Sequence, residues 1–115
     1  DLPALPDGWV YEGWIVGPNG PLSTGRFTSA GEADSDGAGP TAGPDAAPPF
    51  PGQDFVHPAL NLIGTTVVIS IEPEPDNSPA PFVLKPLVDK AVDDSEALQA
   101  MENNAGSFPT GTVTR

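Results

Sequence analysis

A chain of 115 residues is the size of one domain, with room for a self-supporting core but not for a second full domain. Sixteen acids stand against four bases (Arg26, Lys85, Lys90 and Arg115), a formal charge of −12. That balance repels phosphate backbones and anionic headgroups, so nucleic acid and direct lipid insertion are excluded as default partners, while cations and basic protein surfaces are not. Sixteen prolines, thirteen glycines and no cysteine argue against long helices, a disulfide framework and thiolate metal sites.

The first predicted element is GWVYEGWIV, Gly8 to Val16, whose aromatic and β-branched residues suit a pleated, half-buried surface. Alternation divides it into Val10, Glu12, Trp14, Val16 and Trp9, Tyr11, Gly13, Ile15, neither face cleanly polar. GPNGP, Gly17 to Pro21, is a turn signal, and LSTGRF, Leu22 to Phe27, follows as an antiparallel partner. Strict alternation sends Leu22 and Phe27 to opposite faces, and a bulge at Gly25 would return them to one.

Residues 29–54 carry little apolar content and no periodicity. They are expected to form a long Gly/Pro-rich loop inserted in a domain spanning 1–90, either packed on its own domain or clamped by a partner, with the balance slightly towards the partner. GTTVVISIE, Gly64 to Glu72, is the expected central strand, with Val67, Ile69 and Ile71 inward and Thr66, Val68, Ser70 and Glu72 outward. PFVLKPLV, Pro81 to Val88, is a further strand with Phe82, Leu84 and Val88 on one face, confined by Pro81 and Pro86 to an edge or to a ladder broken at those points. VDDSEALQAMENNAG, Val92 to Gly106, predicts one short helix, capped by Asp93 or Asp94 and stopped by Asn103 to Gly106, within a segment 91–115 of helix and extended tail. The longest strongly apolar run, Val67 to Ile71, is five residues, far short of the roughly 20 that span a bilayer. The chain opens on Asp1 and not on methionine, which is expected of an exported protein whose N-terminal segment has been removed, or of a trimmed fragment.

Candidate chemistry is sparse. The one histidine, His57, has no nucleophile partner in any recognisable spacing, so no hydrolytic constellation can be assembled and a non-enzyme is expected. Glu72, Glu74 and Asp76 alternate along an extended backbone and are weak candidates for a hard cation such as calcium, with Pro73 and Pro75 holding them apart. DSDG, Asp34 to Gly37, has two spaced acids before its glycine and no closing glutamate, too little for an EF-hand loop. No glycine-rich phosphate cradle follows a strand, and no cofactor is expected. Trp9, Trp14 and Tyr11 are of the kind that most often lies in the core or at its edge in so small a domain, and Trp9, Tyr11, Phe50, Phe55, Leu98, Met101 and Phe108 are the candidates for contact with a protein partner.

Three segments, YEGWIV (Tyr11 to Val16), GPLSTGRF (Gly20 to Phe27) and VVISIEPEPDNSPAPF (Val67 to Phe82), resemble the extracytoplasmic C-terminal domain of anti-sigma-K factors. That family shows an aromatic-x-x-Trp strand, a small-residue hairpin and a strand ending in Glu-Pro before a turn. The resemblance covers most of residues 8–88 and implies an all-β, antiparallel, immunoglobulin-like β-sandwich outside the cytoplasmic membrane, with Glu72-Pro73 ending a core strand as a corner. The sigma-binding domain and transmembrane helix of such factors have no counterpart in these residues, and acids and prolines replace the family's glycine-rich turn after Glu-Pro. Two functions are therefore expected. One is a non-enzymatic accessory subunit, periplasmic or on the cell surface, binding a membrane-associated or multi-subunit assembly. The other is the sensory part of an anti-sigma factor, which would regulate transcription by sequestering a sigma factor.

Overall fold

The computed structural model describes residues 2–34, 37–39, 42–55, 60–75, 79–94 and 99–104. These form one antiparallel sheet of five strands: β1 (Trp9–Gly17), β2 (Gly20–Phe27), β3 (Thr66–Pro73), β4 (Leu87–Asp89) and β5 (Glu102–Asn103), in the order β2-β1-β3-β4-β5. All-β character and antiparallel pairing agree with the sequence reading. No described helix is long and apolar enough to cross a membrane.

The β1–β2 hairpin closes through Pro18 and Asn19, with Gly17 opposite Gly20 and Gly20 at φ +92°. Such a left-handed φ carries no Cβ penalty only for glycine. Between the pairs Gly13/Gly25 and Trp14/Ser23 the register slips by one residue, Thr24 being the extra one. This bulge puts Phe27 opposite Tyr11 and Leu22 opposite Ile15, one face of the sheet, as the expected bulge at Gly25 requires. Gly13 has a second constraint, because a Cβ there would collide with Thr24 Oγ1. β3 runs along the other side of β1 without a slip, from Trp9/Pro73 to Val16/Thr66.

Both faces of this central pair of strands are covered. On one, Tyr11 (1% exposed) stacks on Phe27 with ring centroids 5.5 Å apart, and its hydroxyl donates to the Pro3 carbonyl. On the other, Trp14, Val68, Ser70 and Glu72 are all buried. The expected orientation of β3 is thereby corrected. Alternation holds, but Val68, Ser70 and Glu72 are its more deeply buried side chains, and Val67, Ile69 and Ile71 are half-buried. Polarity misassigned the faces because Ser70 and Glu72 are hydrogen-bonded inside, and a satisfied polar group tolerates burial.

Two further expectations are corrected. The strand expected over 81–88 is confined to Leu87–Asp89, and Phe82 and Val83 are exposed. Pro81 and Pro86 bring no N–H to a ladder, although the chain still follows the β3 edge, where Ile71 N donates to Leu84 O. The helix expected over 92–106 does not occur among its described residues, 92–94 and 99–104, and Glu102 and Asn103 instead pair with Val88 and Leu87. Gln99 folds back on Asp93, its Nε2 donating to the Asp93 carbonyl and its Oε1 accepting from the Asp93 N–H. These tertiary bonds outweigh a short helical pattern with only two apolar anchors.

The described part of the long loop reaches its own sheet at Phe50, Pro51 and Gly52, which share a cavity wall with Gly13, Thr24 and Ile69. Asp34, 5% exposed, accepts from Gly52 N, and its own N–H donates to Pro48 O. Asp54 accepts from Asp45 N at 2.6 Å, and Gly43, at φ +89°, passes so close to that carboxylate that any side chain there would meet it. Residues expected to be clamped by a partner are thus tied down in part by aspartate-to-backbone bonds of the chain's own.

Candidate functional site

The acidic corner after β3 is built around Glu72. Antiparallel pairing places Glu12 opposite Ser70 and Arg26 opposite Glu12, all on the face that carries Trp14. Trp14 Nε1 donates to Ser70 Oγ at 2.9 Å, and Ser70 Oγ donates to Glu72 Oε1 at 2.5 Å. The same Glu72 oxygen accepts from Phe82 N at 2.7 Å, which pins the returning chain against the end of β3. Beside this relay, Arg26 Nε lies 2.7 Å from Glu12 Oε1, and Arg26 Nη1 lies 3.5 Å from Glu74 Oε1. Glu74 N donates to Gly8 O, tying the corner to the start of β1.

This arrangement organises a corner. Glu72 has no exposed surface and the Glu74 side chain is about half exposed (47%) against Arg26, so the two carboxylates do not converge on a common point. Asp76 lies outside the described residues, and no described group of three His, Asp or Glu side chains is placed to hold a metal ion. The first acid of the DSDG segment, Asp34, is engaged with the loop backbone, while Ser35 and Asp36 lie outside the described residues, as does His57.

The partner-contact candidates separate. Tyr11 belongs to the core, and burial raises its phenol pKa above the usual value. Trp9 is half-buried with its ring tilted on Phe82, centroids 6.1 Å apart. Phe50 is 53% exposed, Phe55 and Met101 are half-buried, and Leu98 and Phe108 lie outside the described residues. Phe50 and Met101 do come together, on the wall of a cavity between the loop and the sheet.

One surface escaped sequence reasoning. Leu60, Leu62 and Ile63, at 47%, 38% and 55% exposure, crowd three large apolar side chains into four residues. Leu60 and Asn61 share a cleft of about 240 Å³ with Ile15, Pro18, Pro21 and Leu22 at the hairpin end of the sheet. Among the described residues no charged one lines this cleft, and none occurs between Leu60 and Ile71 in a chain of net charge −12. The available signal was that charge-free interval before a strand. No protein-family model matches the chain, and neither curated proteins nor solved structures give a significant match.

Proposed function

We propose that this chain is a non-enzymatic, extracytoplasmic interaction module, an accessory subunit that binds a membrane-associated or multi-subunit protein assembly. The observation that carries this reading is the uncharged strip Leu60, Leu62 and Ile63 on an otherwise acidic molecule. Exposed clustered apolar side chains cost solubility unless a partner covers them, and the surrounding negative charge steers that partner towards a basic surface. The immunoglobulin-like sandwich belongs to the same proposal, and burial on both faces of β1 and β3 supports a second covering layer.

A specific observation also favours the second reading, the sensory part of an anti-sigma factor. The three segments that carry the resemblance are the adjacent strands β2, β1 and β3, and Glu72-Pro73 ends β3 at a corner. The gene sequence upstream of Asp1 separates the two: a cleavable signal supports the accessory subunit, and a transmembrane helix behind a sigma-binding domain supports the factor. For the first reading, the tagged chain and a Leu62→Ser/Ile63→Ser variant are recovered from native membranes under mild conditions, with mass identification. A partner held by the parent and lost by the variant is expected. Recovery of the parent only as a free monomer, or equal retention by both, contradicts it.

A further inference from the structure

The cavity under the loop carries an inference independent of the surface strip. Its volume is about 320 Å³, and its floor is Gly13, Gly25 and Ile69 of the sheet, with Leu87 and Met101 at one side. Phe50, Pro51 and Gly52 roof it. Among the described residues on its wall, Thr24 is the one polar side chain, and no charged group reaches it. The roof is anchored, since the buried Asp34 carboxylate accepts from Gly52 N. Gly13 lies opposite Gly25 in the middle of the sheet, and the Thr24 side chain, also on the cavity wall, comes over Gly13 into the space a Cβ would take.

The cavity is open to solvent at its rim, where Phe50 and Ala30 are exposed, so a ligand has a way in, and apolar walls hold water poorly. We propose that this cavity is a binding site for a small uncharged apolar molecule, with Thr24 as its one hydrogen-bonding group. An apolar cavity of about 150 Å³ takes benzene, so roughly twice that volume takes a medium-chain alcohol or a fused ring. A carboxylate would have to shed its water against apolar walls inside a chain of net charge −12, and is excluded by that cost.

The chain has a single methionine, so Met101 gives one ε-methyl resonance directly on the cavity wall. Titration with 1-octanol or indole is expected to shift the Met101 and Ile69 methyl signals saturably and to raise the melting temperature with ligand concentration. Octanoate is expected to bind at least about tenfold more weakly than octanol, the burial of one charge being worth at least that much. Ala30→Phe, at an exposed position on the cavity rim, should weaken octanol about fivefold or more while leaving the circular dichroism unchanged. If that variant fails to fold, the methyl mapping of the parent chain decides. Unshifted Met101 and Ile69 methyls up to the solubility limit of both probes, octanoate binding as tightly as octanol, or shifts confined to Leu60, Leu62 and Ile63 would overturn the proposal.

Discussion

Glu72 is a carboxylate removed from solvent at the end of a strand, where it gathers the Ser70 hydroxyl and the Phe82 N–H on one oxygen. Its replacement by alanine strips both donors of a buried acceptor, so Glu72→Ala is expected to cost about 2 to 3 kcal/mol in urea unfolding. Glu72→Gln keeps an acceptor oxygen and should lose less. Glu74, facing Arg26 at 3.5 Å from a half-exposed position, makes the contrast: Glu74→Ala should change stability by about 0.5 kcal/mol or less. Tyr11 is the only tyrosine, and burial lifts its pKa above 10.0, so the native phenol stays protonated while an unfolded one ionises. The stability it contributes is therefore complete below pH 10.0 and falls as pH rises from there through the folded value. Tyr11→Phe should flatten the alkaline decline in melting temperature. A decline equally steep in the variant would show that Tyr11 does not cause it. The burial of Glu72 was not legible in the sequence, since it does not follow from residue type, whereas Tyr11 was readable as a core or core-edge residue. The Glu12–Arg26 pair was within reach once the turn and the bulge fixed the register of β1 on β2.

At the scale of elements, β1, β2 and β3 were legible because β-branched and aromatic residues sit between glycine- and proline-marked turns, local signals that tertiary structure did not overrule. The bulge was legible too, from the need to return Leu22 and Phe27 to one face. It is testable through Gly13, which leaves the space that Thr24 Oγ1 fills. Gly13→Ala should destabilise by about 1 to 3 kcal/mol, the usual cost of overpacking, and Thr24→Ala in the same chain should recover most of it. Failure of that rescue would mean the bulge is placed wrongly. Ile69→Asp, between Gly13 and Leu87 in the sheet, should abolish folding by putting a charge among apolar neighbours. β4 and β5 were not legible, because a strand of three residues and another of two exist through pairing with distant partners and not through their own periodicity. Among the described residues of 92–106, pairing of Glu102 and Asn103 with β4 takes the place of the helical pattern.

At the scale of the whole molecule, an acidic chain carries an uncharged cleft where the hairpin and the segment before β3 meet, with Asp89 and Lys90 close by, Val67 pairing with Asp89 and Thr66 Oγ1 donating to the Lys90 carbonyl. Composition showed the charge but not that cleft. The cavity was equally invisible, since its wall joins residues far apart in sequence, Gly13, Thr24, Phe50, Gly52 and Ile69 among them. Edge protection is also a property of the assembled sheet. β2 lies at one edge with a bulge and with Pro21, which has no N–H to offer another strand, so growth of the sheet by addition of chains is disfavoured. Leu62→Ser/Ile63→Ser, on exposed side chains, should leave the unfolding midpoint nearly unchanged, within about 0.5 kcal/mol, even where it abolishes partner retention. Loss of folding in that variant would make the strip part of the core and remove it from the surface.

Everything rests on β3 lying between β1 and β4 with its Ser70 side turned into a covered interior. The most direct test is the nuclear Overhauser spectrum of the Trp14 indole N–H, which donates to Ser70 Oγ at 2.9 Å. Strong contacts from that proton to the Ser70 β-protons, with slow exchange against solvent, are the expected result. Rapid exchange of the indole proton, or its contacts going to Val67 and Ile71, would place the opposite face of β3 inside and contradict the account.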